Sequence, residues 1–233
     1  AGVRIEHVAR TDRPTGTYTA VLDSDGELIV AIADMEAMVE LRPDHIQAAR
    51  DAIAGAGIVV VDGNLGRDAF EYAIDLAAGT RVVFEPVSAP KAAVLADGLD
   101  ERIHAVTPDR EELGALTGLP TRTDRQVRTA ARSLHDHGIE LVWVTLGERG
   151  SVLSTPDELI EVPALPATVV DVTGAGDSMV AAFCHVLLDG GSPHEAARLG
   201  HAAASLTVAS PHTVRPDLTL RLVQAALDEE KRP

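Results

Sequence analysis

Short strand-like runs and amphipathic stretches alternate along most of the 233-residue chain. Four runs rich in apolar and β-branched residues have the length of buried strands, at 58–61, 81–84, 103–106 and 141–146. Stretches with apolar residues at helical spacing precede or separate them, at 43–54, 68–78, after Thr107-Pro108, and 125–137. Repeated helix-then-strand units predict a parallel sheet covered on both faces, and therefore an α/β fold.

Two regions depart from this alternation. Residues 17–33 contain two β-prone runs around Asp23-Ser24-Asp25-Gly26, which predicts a hairpin that must pack on another element to be stable. Near the other end, 151–154 and 159–162 are predicted as short antiparallel strands at the edge of the sheet. The rest of the chain is predicted to be helical, at 177–188, 193–208 and 217–230.

Composition adds limits on function. The chain has 36 acidic and 20 basic residues, a net charge of −16, which argues against a nucleic-acid partner because phosphate backbones are bound by clustered Lys and Arg. With 45% hydrophobic and 24% charged residues, the chain is typical of a folded protein. We expect a single domain spanning residues 1–233.

The sequence also bears on location and on thiol chemistry. No apolar run approaches the roughly 20 residues of a membrane helix, and residues 1–10 have neither a basic start nor an apolar signal core. We therefore expect a cytoplasmic protein without a membrane partner. The one cysteine, Cys184, lies in an apolar helical run, which favours a buried inert thiol over a catalytic one.

Glycine-rich loops near strand ends are the next source of evidence, because parallel sheets bind ligands there. The G-x-x-x-x-G-K-[ST] pattern does not occur, which excludes a P-loop. Gly174-Ala175-Gly176 could begin a G-x-G-x-x-G fingerprint, but Met179 occupies the third glycine position and the segment precedes a late helix. A dinucleotide-binding fingerprint is excluded as well.

What remains is the segment Asp171-Val172-Thr173-Gly174-Ala175-Gly176-Asp177, which leads directly into an apolar helix. Its backbone N–H groups and the positive end of the helix dipole suit an anion. The Asp177 carboxylate would repel a bound phosphate, but it suits a hydroxyl that loses its proton while attacking a phosphate. The alternative is that Asp177 only caps the helix.

This segment resembles the C-terminal signature of the PfkB, or ribokinase-like, family of carbohydrate and nucleoside kinases. Residues 144–150 resemble the strand and turn by which that family contacts the nucleotide. Residues 107–112 resemble its N-x-x-E segment at the magnesium site, with Asp109 in place of Asn and Glu112 in the acidic position. Residues 84–88 resemble an Asp-Pro segment, with Glu85 in place of Asp.

The resemblance implies a three-layer α/β sandwich with a mainly parallel sheet and a small β lid, of which hairpin 17–33 would form part. It also implies transfer of the γ-phosphate of ATP to an alcohol. Segments 16–18, 31–35 and 85–91 are most similar to the branch of the family that phosphorylates pseudouridine on its ribose 5′-hydroxyl. Another nucleoside or sugar, such as inosine, ribose or fructose, is the alternative substrate, and a non-catalytic nucleotide-binding protein is the alternative function.

The resemblance also implies roles for individual residues. Asp177 would be the general base, and Gly174, Ala175 and Gly176 would form the anion hole. Nucleotide and ion contacts would come from Thr145, Gly147, Asp109 and Glu112, with Mg²⁺ held by Glu112 and a monovalent cation such as K⁺ bound near Asp171. From the residues alone, Asp109 and Glu112 are explained equally well as acids at a helix N-terminus, and the segment at Thr145 and Gly147 as a turn.

Candidate substrate contacts lie elsewhere in the chain. Lys91 is one of only two lysines, and its position in a proline-flanked loop favours a compact charge for a substrate or phosphate, with a solvated surface lysine as the alternative. Asn64 follows a strand and would either touch the sugar or form a turn. Thr17 and Asp34, on the hairpin, are candidates for the nucleoside side.

Family members begin with a further segment that carries the first strands of the sheet and a glycine-rich sugar-binding motif. The sequence does not contain such a segment, so we expect either a fragment of a longer protein or a shortened relative, in both cases with apolar strand edges exposed. The family resemblance also implies a homodimer formed through the lid.

Overall fold

The computed structural model describes residues 2–22 and 28–230, and within these ranges it contains eight strands and nine α-helices. The turn predicted at 23–26 lies outside the described residues. The strands are β1 (Thr17–Leu22), β2 (Leu28–Asp34), β3 (Ile58–Asp62), β4 (Arg81–Glu85), β5 (Ile103–Val106), β6 (Leu141–Thr145), β7 (Ser151–Ser154) and β8 (Leu159–Val162). The helices are α1 (Pro43–Ala48), α2 (Arg50–Ala54), α3 (Arg67–Leu76), α4 (Ala89–Leu95), α5 (Arg110–Thr117), α6 (Asp124–Ser133), α7 (Ala175–Leu188), α8 (Pro193–Val208) and α9 (Leu220–Glu230).

Six strands form one sheet in the order β3-β4-β5-β6-β7-β8. The first four are parallel, and their register pairs Val61 with Phe84 and Phe84 with Val106. The last two strands, β7 and β8, are antiparallel and lie at the edge, as predicted. The α/β prediction is confirmed.

Helices cover both faces of this sheet. Alternate strand residues such as Phe84 and Val144 pack with α3 to α6, while Val83 and Trp143 point to the opposite face and pack with α7 and α8. Helix α9 lies outside α8. The structure is therefore the three-layer sandwich that the family resemblance implied. None of the helices described between residues 2 and 230 is long and apolar enough to cross a bilayer.

Three helices differ from the prediction. The helix after Pro43 is broken at Ala49, whose ψ of 8° leaves the helical range and separates α1 from α2. The segment 125–137 ends as an α-helix at Ser133 and continues as a 3₁₀ turn. Helix α4 was not predicted, because the prolines of its segment indicated a loop, although proline is well tolerated in a first helical turn.

The hairpin β1–β2 pairs Thr17 with Asp34 and Val21 with Val30. Several of its apolar side chains are open to solvent, with Tyr18 54% and Ile32 66% exposed. These side chains do not pack on another element, contrary to the prediction for the hairpin. A small two-stranded sheet is nevertheless present, as the family resemblance implied.

Candidate active site

Polar residues stand at the carboxyl ends of four neighbouring parallel strands. Asp62 ends β3, Glu85 ends β4, Thr107 follows β5 and Thr145 ends β6. Because parallel strands end at the same edge of a sheet, these residues surround one region. Two cavities of about 220 and 240 Å³ open there.

The two cavities meet at Glu85 and Val180, which line both. From the roles that the family resemblance implies, we call the first the phosphate-side cavity; it is lined by Glu85, Thr107, Asp109, Glu112, Trp143, Thr145, Gly176, Met179 and Val180. We call the second the acceptor-side cavity; it is lined by Val60, Asp62, Glu85, Asp177, Val180, Ala181 and Cys184. Adjacent residues at the tip of α7, Gly176 and Asp177, thus face different cavities.

The tip of α7 depends on Gly174. This N-cap residue has a φ of 83°, and a Cβ built on it would lie 2.1 Å from the carbonyl oxygen of Thr213. Only glycine satisfies both the left-handed backbone and this close approach. Asp177 is the third residue of the helix, and no side chain caps this helix end. Asp177 is therefore not the N-cap residue, although it lies in the first turn, where the helix dipole favours an acid.

The backbone N–H groups at this tip differ in whether they already donate a hydrogen bond within the protein. The N–H of Ala175 donates to the carbonyl of Val172 at 3.2 Å, closing a turn. The N–H groups of Gly176 and Asp177 belong to the first helical turn, where the helix offers no carbonyl partner. The positive end of the helix and these amides can accept an anion beside the Asp177 carboxylate.

Glu85 sits at the junction of the two cavities. Its carboxylate accepts hydrogen bonds from the Thr107 hydroxyl at 2.6 Å and from the Val87 N–H at 3.2 Å. Burial raises the pKa of Glu85 to about 7, and the neighbouring carboxylates of Asp177 and Asp109 act in the same direction. Glu85 is therefore about half protonated at neutral pH.

Asp109 and Glu112 form a reciprocal capping box at the start of α5. The Glu112 N–H donates to the Asp109 carboxylate, and the Asp109 N–H donates to the Glu112 carboxylate, each at 2.8 Å. The prediction of an acidic pair at a helix N-terminus is confirmed. Glu112 is buried and lines the phosphate-side cavity, and burial raises its pKa to about 7.

Across residues 2–22 and 28–230, no group of three His, Cys, Asp or Glu side chains is placed to hold a metal ion unaided. Mg²⁺ commonly uses one or two carboxylates together with phosphate oxygens, and the exposed Asp109 beside Glu112 suits that mode. Asp171 lies outside both cavity linings. Its carboxylate accepts the Thr173 N–H at 2.8 Å, and this hydrogen bond lowers its pKa.

Beside the acceptor-side cavity, a chain of hydrogen bonds joins the segments after β3 and β4. Asp62 lines that cavity, whereas Asn64 and Lys91 lie outside both cavity linings. Lys91 donates from its Nζ to the Asn64 side-chain oxygen, and the Asn64 amide groups donate to Asp62 at 2.8 and 3.0 Å. Lys91 lies in the first turn of α4, which corrects its predicted place in a loop. It is partly buried and bonded, so it is not a freely solvated lysine.

The other predicted contact residues are more scattered. Thr145 lines the phosphate-side cavity, and its N–H donates to the carbonyl of Pro108 at 2.9 Å. Gly147, with a φ of 63°, begins an exposed turn beyond the cavity lining. Thr17 and Asp34 face each other on the exposed hairpin, outside both cavity linings.

Trp143, which is fully buried, lines the phosphate-side cavity. Its indole N–H donates to the Ser151 hydroxyl at 2.8 Å, and Ser151 lies 2.7 Å from Nε2 of the buried His201. Burial lowers the pKa of His201 to about 4, so the imidazole is neutral near pH 7. The Ser151 hydroxyl thus joins Trp143 to the neutral His201 ring in one buried chain of hydrogen bonds.

Two further features, a third cavity and the cysteine, are assigned no chemical role at the strand ends. A cavity of about 580 Å³ lies between the carboxyl-terminal half of α7, α8 and α9, away from the strand ends. Cys184 lines the acceptor-side cavity, and burial raises the pKa of its thiol to about 11. This confirms the prediction of a buried, unreactive cysteine.

Several lining residues received no site role from the sequence, namely Glu85, Asp62, Thr107 and Trp143. A usable signal existed for the first three, because each ends or directly follows a predicted parallel strand. Trp143 offered none, since an aromatic residue inside an apolar run is normally core.

Comparison with known proteins agrees with this arrangement. Residues 1–219 match the pfkB family carbohydrate kinases. Pseudouridine kinase of Escherichia coli (strain K12) is 30% identical over 207 residues, covering 88% of this chain and 66% of that protein. Ribokinase of Arabidopsis thaliana is 34% identical over 218 residues, covering 89% and 55% respectively.

Solved structures show the same relationship. Ribokinase from Thermotoga maritima superimposes with a TM-score of 0.77 at 26% identity, over 92% of this chain and 70% of that one. Arabidopsis thaliana ribokinase complexed with ribose and ATP gives 0.72 at 28% identity, over 95% and 71%. The chain spans about two thirds or less of the length of the curated relatives named above. From its sequence match, its sandwich fold and the composition of its strand-end site, this chain belongs to the pfkB family of carbohydrate kinases.

Proposed function

We propose that this chain carries the phosphoryl-transfer site of an ATP-dependent kinase whose acceptor is a hydroxyl group of a nucleoside or sugar. The observation that carries the proposal is the tip of α7, where the Asp177 carboxylate lines the acceptor-side cavity and the adjacent Gly176 lines the phosphate-side cavity. A base on one side of a helix tip and amide donors on the other suit an alcohol attacking a phosphate.

In this reaction Asp177 accepts the proton of the acceptor hydroxyl. The acceptor oxygen forms a bond to the γ-phosphorus of ATP, the bond from that phosphorus to the β–γ bridging oxygen breaks, and ADP leaves with that electron pair. Charge on the transferring group is stabilised by the backbone amides of Gly174, Ala175 and Gly176 at the positive end of α7. In the structure the Ala175 N–H donates to the Val172 carbonyl, so that hydrogen bond must open before this N–H can bind the transferring phosphoryl group.

The phosphate-side cavity is the proposed nucleotide site, with Thr145 and Gly147 as contacts. Glu112, together with Asp109, would hold Mg²⁺, which when bound neutralises phosphate charge. A monovalent cation such as K⁺ near Asp171 is part of the same proposal. Support comes from the exposed Asp109 carboxylate and the Glu112 carboxylate at one helix start.

For the acceptor, we propose pseudouridine, phosphorylated on its 5′-hydroxyl. The 30% identity to a pseudouridine kinase supports this choice, and the kinship with ribokinases keeps ribose as the main competitor. Lys91 and Asn64 are proposed to contact the acceptor from their place beside Asp62, and Thr17 and Asp34 to reach it from the hairpin acting as a lid. We further propose one domain, a cytoplasmic location and pairing of two copies through the hairpin.

Replacing the proposed base gives the direct test. Asp177→Asn keeps the size of the side chain and removes its basicity, so kcat should fall by about 100-fold or more while ATP affinity changes less than about threefold. Both are measured by ADP release and by nucleotide titration. Asp189→Asn, at the far end of α7, is the matched control.

The acceptor is tested separately by comparing kcat/KM for pseudouridine, uridine, inosine, ribose and fructose. Faster turnover of another compound would replace pseudouridine as the substrate and leave the kinase assignment intact. ATP binding without turnover of any of them would instead support a non-catalytic nucleotide-binding protein.

A further inference from the structure

Val87 has an unusual backbone conformation for its residue type. Its φ is 69°, and it is the one non-glycine residue with a positive φ in the described parts of the chain. A β-branched side chain is strongly disfavoured there by contact with its own backbone. The side chain is 37% exposed, so burial gives little compensation.

The strain belongs to a tight turn between β4 and α4. The Ser88 N–H donates to the Pro86 carbonyl at 2.8 Å, which closes a γ-turn around Val87, and γ-turns with a positive central φ are rare and strained. Within the same turn, the Val87 N–H donates to the Glu85 carboxylate at 3.2 Å. The turn therefore fixes the side chain that stands at the junction of the two cavities.

The turn also docks on the segment after β3. The Gly63 N–H donates to the Glu85 carbonyl at 2.7 Å, and a Cβ on Gly63 would lie 2.2 Å from the Pro86 carbonyl oxygen. Beyond the turn, α4 begins and carries Lys91 to Asn64. The direction in which the chain leaves the turn thus decides whether Lys91 reaches Asn64, which is bonded to Asp62 of the acceptor-side cavity.

We propose that Val87 is a positioning residue, whose strained turn holds Glu85 and Lys91 in place around the acceptor. A conformation that costs free energy and gains little burial persists where the surrounding structure fixes it, and such sites cluster where function needs a set geometry. Glycine would adopt this φ without strain but would also leave it freely. This inference rests on the proposed acceptor site.

Val87→Gly is the informative variant. It should melt at the same temperature as the parent or higher, because strain is removed, while KM for the acceptor rises about tenfold and KM for ATP stays unchanged. Val87→Ile keeps the β-branched stiffness and should keep the parent KM. Val169→Gly, at a 62% exposed valine with an ordinary φ, is the control for adding a glycine and should leave both KM values unchanged.

A second readout does not depend on activity. The sequence has only two lysines, so acetylation of Lys91 can be measured by mass spectrometry relative to Lys231 in the same molecule. Release of Lys91 from Asn64 in Val87→Gly should raise its relative labelling about threefold or more, and Val87→Ile should not.

The outcomes separate this inference from the proposed function. If the parent has no kinase activity but Lys91 labelling rises in Val87→Gly, the turn has the inferred role and the kinase proposal fails. Unchanged Lys91 labelling in a folded Val87→Gly variant would overturn the positioning role. A large drop in the melting temperature of that variant would also overturn it, because it would show that the turn in the parent is not strained.

Discussion

The two cavities of the site are built by different means. On the phosphate side, the acids Asp109 and Glu112 are three residues apart and hold each other in a capping box at one helix start. Longer-range contacts complete that side, such as the hydrogen bond from Thr107 to Glu85. Beside the acceptor-side cavity, Lys91 donates a hydrogen bond to Asn64 across 27 positions in the sequence, and Asn64 is bonded to Asp62 of the cavity lining. Lys91 is therefore placed by the packing of two segments that are distant in the sequence, whereas the acidic pair of α5 is placed by one helix start. We expect changes at Lys91 to affect acceptor binding and changes at the α7 tip to affect the chemical step.

The largest effect is expected for Gly174→Ala on the phosphate side. The added Cβ would clash with the Thr213 carbonyl, and alanine would be strained in the left-handed backbone conformation of this position. The α7 tip must therefore shift, and kcat should fall about 100-fold. Steady-state kinetics measure the loss, with circular dichroism as the test of folding.

Gly176→Ala provides the matched comparison for stability. A Cβ at Gly176 meets nothing within 4 Å, and alanine favours helices, so this variant should melt at or slightly above the parent temperature. Equal destabilisation by the two substitutions would contradict the special role of the Gly174 backbone.

A smaller effect is expected for Lys91→Ala on the acceptor side. Loss of its charge should raise KM for the acceptor about tenfold and leave KM for ATP unchanged, because Lys91 is linked to Asn64 and not to the phosphate-side cavity. Substrate titrations of both compounds measure this. Lys231→Ala is the control, and a rise in both KM values for Lys91→Ala would remove the distinction between the two sides.

The smallest effect concerns Glu85, which belongs to both cavities. Its pKa is raised to about 7, so its contribution to stability is complete below its ordinary pKa and is lost as the pH rises through about 7. The Glu85→Gln side chain cannot ionise. Between about pH 5 and about pH 8, the free energy of unfolding of this variant should therefore fall by about 1 kcal/mol less than that of the parent, a figure reduced for screening by solvent.

Urea unfolding at several pH values measures that difference. Glu148→Gln, on an exposed turn, should retain the pH dependence of the parent. An identical pH dependence for parent and Glu85→Gln would mean that Glu85 is solvated and that the two cavities are joined by water.

Much of the fold was predictable, and the reasons are visible in particular elements. Helix α8 was predicted with its observed bounds, because a Ser192 cap with Glu195 and a regular apolar spacing define it locally. Helix α4 was missed, since its prolines are equally typical of loops. The hairpin was predicted from alternation, but nothing in its sequence indicated that Tyr18 and Ile32 would stay exposed.

The sequence by itself determined the α/β class, the capping box at Asp109 and Glu112, and the motif at the tip of α7, because each depends on residues within a few positions of one another. Only the tertiary structure decided that Glu85 faces Asp177, that its pKa is raised, and that Lys91 reaches Asn64. These properties depend on desolvation and on contacts between separate strand ends, which exist only once the sheet has assembled.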